Sequence, residues 1–263
     1  MMKQIRIETA KGNIEFSLPE EWDELTAKQL LFLVGLFDKQ ITPEEVKVKM
    51  VLHCAGARVR GKNGDGSFRL SFGKKRVDLL PEELVSVSLV FDFLFVVVDG
   101  DVRVDPRITR NHFREIRAGF TRLHGPDDGL TNLKYRDFAD LQIAHAFSNG
   151  DPEDMDRFIS LLYRKEDGSL AEKAVKRIPA KVKVAILWFY LGSTQKLQEL
   201  FPRVFAGGGE EGGNPADGQM RIIDALAKND VTKKEAVRNS DLYEALYTME
   251  VAAEQYEEMK RNK

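Results

Sequence analysis

The sequence predicts an α+β protein that is predominantly helical, with two or three short β-hairpins in the N-terminal half and a C-terminal three-helix unit. Apolar residues that alternate with polar ones on both sides of turn dipeptides predict the hairpins. Apolar residues at three- and four-residue spacing predict the helices, most clearly in residues 125–164. That segment is the predicted centre of the fold, and none of its residue patterns is typical of a catalytic apparatus.

The composition is that of a globular protein. Of the 263 residues, 43% are hydrophobic and the net charge is −2, so the chain can bury a core and has no overall charge that favours nucleic acid. The single cysteine, Cys54, excludes an internal disulfide. The N-terminus does not resemble a signal peptide, and the most apolar run, 85–98, is too short for a membrane span and contains Asp92. We therefore expect a soluble protein of a reducing cytoplasm without membrane contact.

Hairpins and helices are both predicted in the N-terminal half. Period-two alternation about a glycine-containing turn indicates the hairpins, and capping boxes followed by apolar residues indicate the helices. In chain order we predict a hairpin over 3–18 about Gly12-Asn13, a helix over 27–37 capped by Thr26 with Gln29, a helix from Thr42 to about Ala55, a basic hairpin over 57–80, a buried helix over 84–95 and a hairpin about Asp99-Gly100.

The second half is predicted to be helical around one central hairpin of helices. In residues 125–164 the first helix closes at Asn149-Gly150, and Asp151 caps the second, with Pro152 at its first position. The joining loop is short, so the two helices are expected to pack antiparallel. The other predicted elements are a basic helix over 107–122, a short helix over 170–177, and a buried helix over 182–191 that Gly192-Ser193 interrupts.

A glycine-rich segment sets the predicted domain division. Residues 206–218, AGGGEEGGNPADG, lack an apolar anchor and are the predicted flexible linker. The linker separates a main domain of hairpins and helices, 1–205, from a small helical unit, 219–263. Three helices are predicted in that unit. The first contains the apolar residues from Ile222 to Leu226, the second begins at a capping box formed by Thr232 and Glu235, and the third is capped by Ser240.

No pattern predicts catalysis, a metal site or a cofactor. The glycines at 207–213 are not followed by the Lys-Ser/Thr of a phosphate loop. His53 and Cys54 are neighbours on a helix, so their side chains diverge, and no second pair has metal-ligand spacing. His124 near the aspartates at 127–128 allows a metal site or a catalytic dyad, but backbone capping by these carboxylates is the favoured interpretation.

Asp92 is the acidic residue within the most apolar run. A functional carboxylate is one interpretation of it. We favour a structural one, in which Asp92 faces a basic partner such as Arg107 or Arg110, or reaches solvent at the helix edge.

Two features raise the question of nucleic-acid binding. One is the basic hairpin at 57–76 with Phe68 and Phe72 between its basic residues, and the other is the C-terminal three-helix unit. The last helix of that unit is acidic, whereas a recognition helix must approach phosphates. The two phenylalanines alternate with Arg69 and Ser71, so we expect them to face the core. We do not expect nucleic acid as the partner.

Several motifs resemble those of phage tail-region proteins. They are Leu18-Pro19-Glu20-Glu21-Trp22 with the following residues to Gln29, the Gly125-Pro126 to Asn132-Leu133 turn before Phe138, Leu161-Leu162-Tyr163-Arg164, Asp230-Val231-Thr232 and Leu242-Tyr243-Glu244-Ala245-Leu246. The first three resemble small proteins encoded in prophage tail regions of Bacteroidetes-type bacteria. The last two are similar to the C-terminal part of phage tail assembly chaperones. The resemblance implies a protein without catalytic residues that keeps an aggregation-prone tail protein soluble during assembly.

We therefore expect a non-enzymatic interaction module, without cofactor or metal, that binds a phage tail protein such as the tape measure or the tail tube. A tethered helical unit with one apolar stripe fits a partner helix. The candidate contact residues are Leu242, Tyr243, Leu246, Tyr247 and Met249 on the C-terminal unit, and Arg58, Arg60, Arg69, Lys74 and Arg76 on the basic hairpin. The alternatives are an intramolecular core for the first set and a solvated face for the second. A structural tail component and a nucleic-acid-binding accessory are alternative functions, and self-association is left open.

Overall fold

The structure is a computed structural model that describes residues 2–8, 13–146, 150–206, 223, 227 and 230–261. The fold is mixed α+β and mostly helical, with small antiparallel sheets, which confirms the predicted fold class. The chain divides into two compact units, Met1–Arg107 and Ile108–Lys263. This division differs from the predicted one at residue 205, and residues 207–218 of the predicted linker lie outside the described residues.

The first unit combines three small sheets with helices. Its described elements are β1 (Lys3–Ile7), β2 (Ile14–Leu18), a 3-10 helix (Trp22–Glu24), α1 (Ala27–Phe37), α2 (Pro43–Cys54), β3 (Ala57–Lys62), β4 (Phe68–Phe72), β5 (Lys75–Leu79), α3 (Pro81–Ser88), a 3-10 helix (Leu89–Leu94), β6 (Phe95–Val98) and β7 (Asp101–Val104). The antiparallel sheets are β1-β2, β3-β4-β5 and β6-β7. The basic hairpin is therefore part of a three-stranded sheet.

Local capping signals position the helices of this unit as predicted. The Thr26 hydroxyl accepts a hydrogen bond from the Gln29 N–H, and the Gln29 side chain accepts one from the Thr26 N–H. Thr42 and Glu45 repeat this arrangement at α2. These reciprocal bonds satisfy amides that the first helical turn leaves without intrahelical partners.

The predicted helix over 84–95 is too long. The α-helix ends at Ser88, a 3-10 helix continues to Leu94, and Phe95 begins β6. The valines that follow are β-branched and favour a strand. The predicted turn is present: Asp99 and Gly100 have φ of 53° and 85°, as a two-residue hairpin turn of the primed type requires.

The sheet β3-β4-β5 packs one face against the core. Leu70, Leu79 and Leu84 form a buried cluster. The partly buried apolar side chains around it are Ile7, Leu52, Phe68, Phe72 and Val77. Phe68 and Phe72 thus lie on the core side, as predicted, because they alternate with Arg69 and Ser71 along β4.

The second unit is mainly helical. Its described elements are β8 (Glu115–Ala118), β9 (Thr121–His124), a 3-10 helix (Asp128–Leu130), α4 (Tyr135–Ala146), α5 (Pro152–Leu162), α6 (Glu172–Val175), α7 (Ala180–Leu200), α8 (Pro202–Ala206), α9 (Val231–Arg238) and α10 (Leu242–Arg261). The predicted central pair α4 and α5 is confirmed, and Asp151 caps α5 by accepting from the Asp154 N–H at 2.8 Å. Of the predicted turn Asn149-Gly150, Asn149 lies outside the described residues.

The predicted basic helix over 107–122 is wrong. The segment contains β8 and the first half of β9, joined by a two-residue turn in which Gly119 has a φ of 66°. Ile116 lies opposite Leu123, and both are buried, whereas Arg117 is exposed. This period-two burial pattern belongs to a strand rather than to a helix.

The predicted interruption of the buried helix at Gly192-Ser193 is also wrong. Helix α7 runs without a break from Ala180 to Leu200, and Gly192 and Ser193 are both buried within it. Glycine in a helix costs only about 1 kcal/mol, and tertiary packing readily exceeds that cost. A short helix was predicted over 170–177, and the helix in the structure is shorter, Glu172–Val175.

The helix starts near the C-terminus differ from the predicted ones. Asp230, not Thr232, caps α9, because its carboxylate accepts from the Thr232 N–H at 3.0 Å. Helix α10 begins at Leu242, so Asp241 and not Ser240 directly precedes it, and the Ser240 hydroxyl donates to the Val237 carbonyl at 2.6 Å. Of the helix predicted over 222–226, the described residues include only Ile223.

Candidate functional site

The C-terminal contact residues pack mainly inside the second unit. Leu242, Leu246 and Met249 are buried, and α10 contacts α4 and α8. Three of the five predicted contacts are therefore core residues, which agrees with the intramolecular alternative. The sequence did not distinguish these two alternatives, because apolar residues three and four positions apart share one helix face. That face has the same sequence pattern whether it packs against its own chain or against a partner.

The two tyrosines of this set differ in exposure. Tyr243 is partly buried, its hydroxyl donates to the Gly129 carbonyl at 2.9 Å, and its ring lies edge-on to Phe201 with 6.1 Å between centroids. Tyr247 is 63% exposed. Among the five residues, Tyr247 is therefore the one available to a partner on this face of the unit.

A carboxylate clamp fixes α10 against α8. Glu250 accepts from the backbone N–H groups of Arg203 at 3.0 Å and Val204 at 3.1 Å, and it pairs with the Arg203 guanidinium at 3.0 Å. Glu254 and Glu257 pair with the same guanidinium at 3.4 and 3.3 Å. The hydrogen bonds that the Arg203 guanidinium donates to Glu250 and Glu257 raise the pKa of Arg203. Acidic residues of the last helix thus have an intramolecular role.

The outer face of the sheet β3-β4-β5 carries four of the five predicted basic contacts. Strand register places Arg58 and Arg76 on either side of Ser71. Neighbouring strands are about 4.8 Å apart, so the backbones carrying the two arginines are separated by about 10 Å. Both arginines are exposed, and neither forms an ion pair with any carboxylate in the described part of the chain.

Of the other three predicted basic contacts, two bond to neighbouring side chains of the sheet and one lies in a turn. The Arg60 Nε donates to the hydroxyl of buried Ser71 at 2.9 Å, which holds the guanidinium across the sheet. Arg69 pairs with Asp78 at 3.4 Å and donates to the Asn63 side chain at 2.6 Å. Lys74 lies in the turn between β4 and β5. The basic face is thus defined by Arg58, Arg60 and Arg76.

A second exposed surface, the valine hairpin β6-β7, was not among the predicted contacts. The side chains of Val96, Val97, Val98 and Val102 are 37%, 68%, 39% and 48% exposed. Four exposed valines on one small hairpin exceed the scattered apolar residues of an ordinary surface. The run of three valines before Asp99-Gly100 indicates the strand, but the sequence alone does not show that these side chains are exposed.

Cys54 and His53 have structural environments, as expected. The ring of His53 stacks on Phe32 with centroids 3.8 Å apart, and burial, followed by the charge of Lys28, lowers the pKa of His53. Burial raises the pKa of the Cys54 thiol to about 12, against the smaller opposite effect of a hydrogen bond with Gln29. The thiolate is therefore disfavoured in the folded chain.

We expect Cys54 to react slowly with a disulfide reagent at pH 8. With a pKa near 12, its thiolate population is far below that of an unfolded cysteine, so native protein should react at least about 100-fold more slowly than protein in denaturant. Release of thionitrobenzoate measures both rates, and a Cys54→Ser chain supplies the blank. Equal rates in the two conditions would contradict a buried thiol.

The acidic residues considered for chemistry are engaged with their surroundings. Asp128 accepts from the Asn111 N–H at 2.8 Å and pairs with Arg114 at 2.9 Å. Although burial opposes it, these contacts lower the pKa of Asp128. Asp128 thus accepts a backbone hydrogen bond, whereas the side chain of Asp127, the residue before the 3-10 helix, makes no capping bond. The partner of Asp92 is Lys47, at 2.8 Å, rather than Arg107 or Arg110, and its side chain is 58% exposed.

The catalytic dyad, the less favoured interpretation of these residues, does not form in the described part of the chain: the His124 Nε2 is buried without a hydrogen-bond partner, and Asp127 and Asp128 pair with Arg114. The backbone of His124 instead bridges to Arg164. The described residues contain no cluster of three or more His, Cys, Asp or Glu side chains that could hold a metal ion. Among the described helices, none has the length and apolar character to cross a membrane.

The fold and these surfaces define a mixed α+β protein with an exposed basic sheet face and an exposed valine hairpin. In three comparisons, no family model, no curated protein and no solved structure matches this chain.

Proposed function

We propose that this chain is a non-enzymatic protein-interaction module that resembles a phage tail assembly chaperone and binds an acidic segment of a tail protein, such as the tape measure or the tail tube. The observation that carries the proposal is the basic face defined by Arg58, Arg60 and Arg76. Arg58 and Arg76 are exposed and make no ion pair with the described carboxylates, so their charges are available to a partner.

The chemistry of this face suits carboxylates. An arginine guanidinium binds a carboxylate through two parallel hydrogen bonds, and these charge-assisted bonds are stronger than neutral ones. The spacing of about 10 Å across the sheet equals about two turns of an α-helix. A helical partner with acidic residues at positions i and i+7 would therefore place one carboxylate over each of Arg58 and Arg76. The tape measure, to which the resemblance points, would have to offer a helical segment with this acidic spacing.

The direct test is co-purification with the tail proteins encoded in the same genome. We expect the wild-type chain to retain its partner, and Arg58→Glu/Arg76→Glu to weaken binding at least tenfold, because each substitution replaces an attraction by a repulsion. The control Lys39→Glu/Lys49→Glu makes the same charge change at exposed positions of the same unit and should bind like wild type. Capture of no tail protein, or equal weakening by both double variants, would contradict the proposal.

Nucleic acid is the second candidate for the same face, because guanidinium groups also bind phosphates. Phe68 and Phe72 lie on the core side of the sheet and offer no stacking surface to bases. A titration with duplex DNA at low salt separates the candidates. We expect no binding, whereas binding that falls steeply with salt and is lost in Arg58→Glu/Arg76→Glu would favour nucleic acid. Presence in purified particles would favour a structural tail component instead.

A further inference from the structure

The two faces of the valine hairpin β6-β7 differ in chemistry. The register pairs Phe95 with Val104 and Val97 with Val102, so these four apolar residues share one face. At the base of the hairpin the Phe95 ring lies 6.3 Å from the Phe37 ring, whereas Val97 and Val102 are 68% and 48% exposed. The outer half of the apolar face therefore extends beyond the contacts of its own unit.

Strand β7 has an open edge. Among the described strands it pairs only with β6. Val98 and Asp101 close a two-residue turn, so their backbone groups bond to each other, and the next pair along the ladder directs its backbone groups outward. That pair includes Val102. Its N–H and C=O consequently point away from β6, in the direction from which another strand can bind.

The sequence of this edge is complementary to itself. Asp101 and Arg103 flank Val102, with their charged groups 3.2 Å apart on the opposite face from Val102. If a second β7 lies antiparallel with Val102 at the centre, Asp101 faces Arg103 of the partner subunit, and Arg103 faces Asp101 of the partner subunit. Opposite charges directly across an antiparallel pair stabilise it, and like charges destabilise it.

We propose that a second copy of this chain binds at the edge of β7. The result is a four-stranded antiparallel sheet with two-fold symmetry, in which the two Val102 backbones exchange hydrogen bonds and the valines of all four strands form one continuous apolar row. The same surface patch serves both subunits, as an isologous interface requires. The interface consists of one short strand from each subunit, so it is small. The dimer is therefore weak, and monomer and dimer exchange in an equilibrium that depends on the protein concentration. This inference does not depend on the partner proposed for the basic face.

Sedimentation equilibrium of the full chain tests the proposal. The wild type should change from monomer to dimer as the concentration rises to about 500 μM, a range that detects the weak association expected of a small interface. Asp101→Arg alone or Arg103→Asp alone should raise the dimer Kd at least tenfold, because symmetry makes each substitution act twice. Circular dichroism checks that the variants are folded.

Two combinations distinguish this geometry from non-specific association. An equimolar mixture of the Asp101→Arg and Arg103→Asp chains places opposite charges across the edge again, so the mixture should dimerise although each chain alone is monomeric. The double variant D101R/R103D should recover the wild-type Kd. A wild type that stays monomeric throughout the range, single variants that dimerise like wild type, or a mixture that stays monomeric would each overturn the proposal.

Discussion

Replacement of Gly125 by alanine is expected to destabilise the second unit by about 3 kcal/mol or more, at the upper end of what overpacking costs. A Cβ at this position would lie 2.3 Å from Cε1 and 2.4 Å from Cζ of Tyr163. Carbon atoms in contact are normally about 3.5–4.0 Å apart, so either the ring or the backbone must move. The variant therefore tests how firmly the Tyr163 ring is held.

The surroundings of Tyr163 leave it little freedom to move. The residue is fully buried, and its hydroxyl bonds to the Asn111 Oδ1 at 3.1 Å. Asn111 in turn donates to the Pro126 carbonyl at 2.7 Å and accepts from the Phe113 N–H at 2.9 Å. Burial raises the pKa of Tyr163, so the phenol stays neutral and donates. A shift of the ring would leave buried polar groups without partners, which adds to the steric cost.

Urea unfolding of Gly125→Ala, with hydrogen exchange in peptides from α5 as the local readout, measures this effect. Gly168→Ala is the matched control, because a Cβ at Gly168 meets no atom within 4 Å while its φ of 77° imposes the strain of the left-handed region. That strain costs about 1 kcal/mol. If the two variants lost the same stability, the contact between Gly125 and Tyr163 would not be tight.

The elements that the sequence predicted correctly depend on short-range chemistry. The caps at Thr26, Thr42 and Asp151 and the Asp99-Gly100 turn each require only a few neighbouring residues, so local pattern is sufficient. The helix prediction for residues 107–122 was wrong because the arginines of this segment are compatible with a helix or a strand. The buried pair that stabilises the hairpin, Ile116 and Leu123, forms only when the chain folds back across the turn. The contact of Gly125 with Tyr163 likewise joins distant parts of the sequence.

The candidate site was predictable only in part, for a physical reason. On β4, alternation correctly separated the core side, with Phe68 and Phe72, from the basic side. On α10, an apolar stripe predicts burial but not what buries it. The valines of β6-β7 are the opposite case, because they are apolar but exposed. An apolar strand sequence does not reveal whether another element packs on the strand.

A pair of adjacent substitutions on α10 separates core from surface. Leu246 is 2% exposed, so Leu246→Ala should cost about 3 kcal/mol through lost burial and the remaining cavity. Tyr247 is 63% exposed, so Tyr247→Ala should change stability by no more than about 0.5 kcal/mol. For a unit of this size, the first change lowers Tm by roughly 6–12 °C and the second leaves it almost unchanged.

The same two variants, Leu246→Ala and Tyr247→Ala, can also be tested for binding of the partner. Both variants are compared with wild type in the co-purification assay at a temperature where Leu246→Ala is still folded. Loss of the partner in Tyr247→Ala without loss of stability would assign this face of α10 to the interface, because truncation of an exposed tyrosine removes contact area and little else. Retention of the partner by both variants would leave the basic face as the binding surface. Equal Tm values for the two variants would contradict the burial of Leu246.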